Sequence, residues 1–554
     1  MDILIYSILT NFIYFCSGYL ILDKKKVNFS SYFYIFFIGS VTLSFISLFL
    51  NFFIKLSPLI NSILYAVIII LFVNKSNLKF SKNFWAFLFL SSFFTFLLII
   101  YSNVNRPDAG LYHLPYISLL NENKIIFGVS NIHIRFAHVS ILQYLSAINN
   151  NYLFFENGIS IPLASLVSFF YLYFLNDVLR VIKKKDPIDI AKFFSLFILI
   201  YISFKITRYS SFGNDAVAHL CFFYLISYFL KNNIEKIKFN KVMLLSVFIF
   251  INKPMLGLVF LFPLVLFLLK KYYKSKKILL IIFSIPVLFL TLWLTKNTIV
   301  SGCMIYPLKI TCFENLPWTN TNQIIKDNLE GAVWSKAWPD RIDKNISMIE
   351  YNKNFLWLES WSKTHLKYIL NIIIPFSLFV FLLTLFIQFK VKKKITLLNN
   401  GLKLRFFISL VICLIGLLSF LTIFPIFRYG YSYIITLISL FSILFIKNKI
   451  PFKENIPIFK FILIISIIFI VGKQVNKIYK NYSENSPWPN IYTLDKNIKN
   501  HKKININKDF FYYHADKSDN LCMYTPSPCT SYQLNKQIYV NRVLNYIIIK
   551  LKNE

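Results

Sequence analysis

The chain has 554 residues, 56% of them hydrophobic and only 15% charged, against about half and about a quarter in an ordinary soluble domain. Its mean hydropathy is +0.58, and it holds 61 Phe and 34 Tyr but only 13 Gly. These figures exclude a string of soluble domains, intrinsic disorder, collagen-like repeats and Gly-rich nucleotide-binding loops. The net charge of +36 does not point to nucleic acid, because the lysines fall in short clusters between apolar runs of about 20 residues. Such clusters mark cytoplasmic loops under the positive-inside rule. They stand at Lys24 to Lys26, Lys75 to Lys82, Lys183 to Lys185, Lys231 to Lys241, Lys270 to Lys277, Lys390 to Lys394 and Lys447 to Lys453.

In chain order, the start Met1-Asp2-Ile3-Leu4 lacks the basic region of a cleavable signal peptide, so the N-terminus is expected outside. Spans are predicted near 3–22, 31–54, 56–73 and 83–102, followed by an outer loop, 103–152, too polar to cross. Further spans fall near 156–180, 189–207 and 216–230. The run 242–269 has basic clusters at both ends and is broken by Asn252-Lys253-Pro254, so it reads as a short hairpin with Lys253 at its outer apex. A span at 278–299 leads to a second outer loop, 300–370, and spans near 371–389, 405–426, 430–446 and 458–473 complete the path. The expected fold is an all-α polytopic integral membrane protein with amphipathic juxtamembrane helices and a small extracytoplasmic C-terminal domain. Its division is 1–82 as extra N-terminal transmembrane helices, 83–473 as a core and 474–554 as the outer domain.

Three tallies agree with that sidedness. Cys16, Cys221 and Cys413 lie in spans, whereas Cys303 with Cys312 and Cys522 with Cys529 form close pairs in outer segments and read as disulfides. Zinc is the alternative for those four, without the tight C-x2-4-C spacing it favours. All seven histidines fall on the outer side, as do six of the eight arginines (Arg106, Arg135, Arg208, Arg341, Arg428, Arg542).

The first outer loop reads Asn105-Arg106-Pro107-Asp108-Ala109-Gly110-Leu111-Tyr112-His113. Helical spacing puts Asp108 and Tyr112 on one face. His133, Arg135 and His138 follow on segments expected to be amphipathic helices lying at the interface. A second cluster runs from Arg208 to His219 through Asp215, with His219 one turn beyond the aspartate. Either aspartate also reads as a plain helix N-cap. Ionisable groups at a span edge are costly and often functional.

This arrangement of an acidic residue after an early span, two juxtamembrane helices and a second outer Asp resembles the GT-C glycosyltransferases. The element Asp108-x-x-x-Tyr112-His113-Leu114-Pro115, together with Ser301-Gly302, Tyr306-Pro307 and Pro528-Cys529-Thr530, looks like that of bacterial multi-pass proteins of this superfamily. The likeness covers roughly 83–450. Family 39-type members carry their catalytic Asp in this loop, so the resemblance assigns that role to Asp108, with Asp215 as the second acidic residue. The paired acidic residues usual there are absent, since Pro107 and Ala109 flank Asp108. No cofactor is therefore assigned; a divalent metal stays open without a motif to support it.

The resemblance implies a bacterial inner (cytoplasmic) membrane enzyme whose site faces the periplasm or outside. It would move a sugar from a polyprenyl-phosphate donor to a glycan, lipid or protein acceptor, with membrane lipids and no nucleic acid as its surroundings. One carboxylate takes the acceptor proton, and cations meet the developing phosphate charge. Arg135, Arg208, Lys253 and Arg428 are the candidates for phosphate, each also readable as a snorkelling interfacial cation. Arg106, Tyr112, His113, His138 and His219 complete the expected binding set. Trp318, Trp334, Trp338, Trp357 and Trp361 suit sugar stacking, with Trp357 and Trp361 expected at the membrane interface. Two alternatives are an Arg-lined polymerase or ligase of lipid-linked oligosaccharides and a non-enzymatic carrier or flippase, the latter disfavoured by scarce Gly and no visible repeat.

Overall fold

The computed structural model describes the chain apart from residues 23–28, 77–79, 103–106, 186–188, 206–211, 272–283, 354, 391–399, 446–451, 484–485, 493–500, 508–509, 516–520, 532–533, 535–537 and 552–554. Among the described residues, nine helices are long and apolar enough to cross a membrane, and three apolar helical segments are shorter. The first four helices are α1 (Asp2–Leu22), α2 (Phe29–Asn51), α3 (Pro58–Lys75) and α4 (Lys82–Ile99). Apolar side chains face the lipid as readily as the core here, so packing between helices rests on close backbone approach and polar links. Gly18 and Gly39 supply the approach: a Cβ on either would strike the backbone of the other helix. Asn11 Nδ2 donates to Ser92 Oγ at 3.0 Å and Thr95 Oγ1 bonds Ser168 Oγ at 3.1 Å.

Two short helices follow in the first loop, α5 (Leu114–Glu122) and α6 (Ile141–Ile148). The core is centred on α7 (Ile161–Ile182), whose residues 161–174 are all buried. Then come α8 (Ile190–Lys205), α9 (Asp215–Lys231) and α10 (Phe239–Asn252). At Lys253 the backbone leaves the helical region, and a 3-10 stretch, Pro254–Phe260, turns back beside α10 into α11 (Leu261–Leu269). This is the expected hairpin. The remaining long elements are α12 (Ile285–Ser301), α13 (Thr321–Ser335), α14 (Lys367–Lys390), α15 (Asn400–Ile423), α16 (Phe427–Phe445) and α17 (Phe452–Asn481). At the Lys-rich ends Asp177 pairs with Lys192 at 3.4 Å and with Lys231, and accepts from Ser195 Oγ at 2.8 Å.

Two expectations from the sequence differ from the structure. The segment expected to hold His133, Arg135 and His138 on amphipathic helices at the interface is instead a 3-10 turn, Ile134–His138, and the helices on either side of it are buried: every residue of α6 and residues 114–121 of α5. The segment 521–527 covers them, with Tyr524 Oη reaching Asn121 Oδ1 at 3.0 Å and Ser118 Oγ donating to the Thr525 carbonyl at 2.5 Å. Trp357 and Trp361 are buried as well, and Trp361 Nε1 donates to the Pro425 carbonyl at 2.6 Å. Beyond α17 the described C-terminal residues include five short strands. Strand β1 (Lys502–Asn507) runs antiparallel to β2 (Phe510–His514), β3 (Cys529–Thr530) lies parallel to β2, and β4 (Ile538–Val543) pairs with β5 (Tyr546–Leu551) as a hairpin. That hairpin joins the first loop through Phe127, whose amide donates to Ile547 and whose carbonyl accepts from Ile549. Cys303–Cys312 and Cys522–Cys529 are disulfide-bonded.

Candidate functional site

Four helix ends contribute to one site on the side opposite the described Lys-rich turns: the C-terminal turns of α10 and α12 and the N-terminal turns of α9 and α16. Between them lies a cavity of about 230 Å³. Its lining includes Asp108, Tyr112, His113, Arg135, His138, Asp215, Lys253 and Arg428. Eight side chains picked from separate parts of the sequence are thus brought together. Arg106 and Arg208 lie outside the described residues. His219 is displaced from the expected role: it sits one turn inside α9, its ring 3.6 Å from that of Tyr431 and its Nε2 2.9 Å from the carbonyl oxygen of Arg428. It holds the backbone that carries Arg428 and does not line the cavity.

Asp108 sits where the chain leaves α4 and enters a π-turn, Ala109–His113. The wider turn, not the expected α spacing, brings both Asp108 and Tyr112 to the cavity. Its carboxylate Oδ2 lies 3.3 Å from Arg428 Nη1, both side chains about half exposed at 48% and 51%. Asp215, at the first position of α9, is ion-paired with Lys253 from the hairpin apex. Lys253 is almost covered and lies 4.2 Å from the Tyr429 ring centroid, while Arg428 Nη2 donates to Tyr429 Oη at 3.1 Å. Each carboxylate therefore faces one cation. Arg135 is exposed on the opposite wall, and no carboxylate forms an ion pair with it among the described residues. Among the described lining residues, three cations stand against two carboxylates.

The histidines are neutral by burial. Desolvation lowers His113 to about 4 and His138 to about 3. Gln143 fixes the His113 tautomer. Its Oε1 accepts from the Ser140 amide and hydroxyl, both at 2.8 Å, so its Nε2 donates, to His113 Nδ1 at 2.8 Å and the Phe212 carbonyl at 3.2 Å. His113 Nε2 then carries the proton. Gln143 is part of a capping box at the start of α6, and that pattern, Ser-x-x-Gln, was legible in the sequence.

Other wall residues come from the second outer loop and the helix before it. Tyr306 lines the cavity, packs edge-on to the His138 ring at 5.0 Å and donates its hydroxyl to Asp327 on α13. Gln323 Nε2 donates to the other Asp327 oxygen at 2.7 Å, and burial raises this carboxyl above its usual range. Asn297 lines the cavity beside Lys296, a fully buried amine that donates to Asn297 Oδ1 at 2.9 Å and lies 3.9 Å from the Trp293 ring centroid. Among the described residues no group of three or more His, Cys, Asp or Glu side chains is placed to hold a metal ion.

The molecule is a polytopic α-helical protein with a cationic, acid-bearing cavity at its helix ends. Residues 1–435 match the family model described as "Domain of unknown function (DUF8201)", and the chain belongs to that family. No curated protein and no solved structure matches it.

Proposed function

We propose that the chain is a GT-C-type inverting glycosyltransferase of a bacterial inner membrane, moving a sugar from a polyprenyl-phosphate donor to an acceptor at the outer face. The observation that carries the reading is the single cavity in which Asp108 and Asp215 meet Arg135, Lys253 and Arg428. Basic clusters at the opposite helix ends support the outer placement. The net cationic character suits a phosphate-linked donor, and permanently charged Arg gives fork-shaped contacts to phosphate oxygens. In the proposed reaction the acceptor oxygen forms its bond to the anomeric carbon as the bond from that carbon to the lipid-phosphate oxygen breaks. Asp108 takes the acceptor proton, while Arg135, Lys253 and Arg428 meet the charge left on the phosphate. Asp215 holds Lys253 in place. The cavity is smaller than the roughly 300–1,000 Å³ of sites for drug-sized ligands, which favours a single sugar ring over an oligosaccharide.

One observation favours the Arg-driven polymerase or ligase as a second reading: both cavity carboxylates are already engaged by cations. Gene deletion with mass profiling of cell-surface glycans, complemented by wild type, Asp108→Asn or Arg135→Gln at matched expression, separates the two. Loss of one sugar residue, restored by wild type and not by Asp108→Asn, is the expected result. Full rescue by Asp108→Asn with failure of Arg135→Gln moves the assignment to the polymerase or ligase.

A further inference from the structure

A second concavity, of about 570 Å³, lies at the corner between α2 and α3 and is closed on one side by the β4–β5 hairpin. Its position follows from the chain. Both α2 and α3 are membrane-spanning by length and composition, so the residues joining them, 52–57, sit at the bilayer boundary. Phe53 and Leu59 there are 57% and 52% exposed, as expected of side chains in contact with acyl chains. Three cations rim the same groove: Lys55 from the corner, Lys124 from the segment after α5, and Arg542 from the hairpin. Among the described lining residues one carboxylate, Glu122, accepts from the Ser527 amide at 2.9 Å and faces the three cations, which leaves the rim with a net positive charge.

The walls are fixed by backbone links. The Ile125 amide donates to the Asn51 carbonyl and the Leu56 amide to the Leu120 carbonyl, both at 2.9 Å. Tyr546 Oη donates to the Phe52 carbonyl at 2.9 Å, and Lys124 Nζ lies 3.6 Å from the centroid of the same Tyr546 ring. A groove assembled in this way is formed before anything enters it. The hairpin carries a second sign of contact with lipid: its turn exposes Val543 by 51% and Leu544 by 87% immediately beside Arg542. An apolar tip next to a cation is the pattern of an element that dips into a headgroup layer.

We infer that this groove seats the headgroup of an anionic phospholipid from the surrounding leaflet, its phosphate on Lys55, Lys124 and Arg542 and its first acyl carbons along Phe53 and Leu59. Charge complementarity chooses the occupant: a basic rim over an apolar floor at membrane depth fits an anionic headgroup with attached chains and does not fit a soluble anion or a zwitterionic lipid as well. The groove is separate from the central cavity and shares no lining residue with it. Its occupant does not depend on the transfer reaction.

The test uses the full-length protein purified in detergent and titrated with dioctanoyl phosphatidylglycerol or dioctanoyl phosphatidylcholine, with bound lipid counted by native mass spectrometry. Wild type is expected to retain one phosphatidylglycerol in preference to phosphatidylcholine. Each cation removed in Lys55→Gln, Lys124→Gln and Arg542→Gln weakens that binding about fivefold, so the triple variant loses about 100-fold. Far-ultraviolet circular dichroism checks that the triple variant keeps its helices. If it does not, the exposed single variant Lys55→Gln carries the fivefold expectation alone. Equal binding of the two lipids, undiminished phosphatidylglycerol binding by a folded triple variant, or displacement of the lipid by soluble glycerol phosphate overturns the assignment.

Discussion

Replacing Asp215 by Asn leaves Lys253 with its charge and without its carboxylate. The Lys253 side chain is 8% exposed and that of Asp215 33%. Removing one partner of a buried pair costs about 3–5 kcal/mol because the remaining charge stays desolvated. The partial exposure of Asp215 lets water reach the pair, which brings the expected loss down to about 2–3 kcal/mol. Lys253→Met is expected to cost less, about 1–2 kcal/mol, since the carboxylate it leaves behind is the better hydrated partner. The double variant Asp215→Asn/Lys253→Met then has no stranded charge, and its loss should fall short of the summed singles by about 2 kcal/mol. Equilibrium unfolding in mixed detergent and dodecyl sulfate micelles, followed by circular dichroism, measures all four corners of the cycle. Losses that add to within about 0.5 kcal/mol would refute the claim that the two groups stabilise one another across the cavity.

Two further outcomes follow from the same structure. His113, His133 and His138 are held by burial at about 4, about 3 and about 3, against about 6.5 in an unfolded chain. Because the unfolded chain takes up protons that the folded one refuses, stability is complete above pH 7 and falls as pH drops through about 6.5, by up to about 1.4 kcal/mol per pH unit for each histidine. Unfolding midpoints at pH 7.5, 6.5 and 5.5 check this, and His138→Gln should flatten the slope; a midpoint unchanged at pH 5.5 contradicts it. Gly110→Ala places a methyl group against Met523 Sδ, with Leu521 alongside, and is expected to cost about 1–2 kcal/mol through overpacking. Adding Met523→Ala should recover part of that loss, whereas strictly additive losses would mean the two segments do not touch.

Much of the site was legible because its residues announce themselves as exceptions. Lys253 stands in an apolar run at Asn252-Lys253-Pro254, and proline there leaves the helix no way to continue, so the hairpin and its charged apex follow from local sequence. Asp215 and Arg428 are ionisable groups at the ends of apolar helices, where burial is costly enough to make them conspicuous. Their partners were not legible. Asp108 with Arg428 and Asp215 with Lys253 are set by how helix ends converge, and periodicity carries no record of that. Asp327 lies in a polar stretch without a repeat, where one acid looks like any other. The burial of α5 and α6 was missed for a related reason. Asn121 and Ser118 on α5 are polar, and what satisfies them is a segment some 400 residues away, which local sequence does not record.

That distant segment bears on how the protein is made. The loop holding Asp108 is fastened on both sides by the C-terminal region: the Tyr101 amide donates to the Pro487 carbonyl at 2.9 Å, and the Met523 amide donates to the Gly110 carbonyl at 2.8 Å. The first loop emerges from the ribosome long before either fastener exists, and all the later membrane-spanning helices must be threaded before the tail can reach it. The cavity is therefore completed last, and a nascent or C-terminally clipped chain would sit in the bilayer with its helices in place and the loop around Asp108 without these two backbone fasteners.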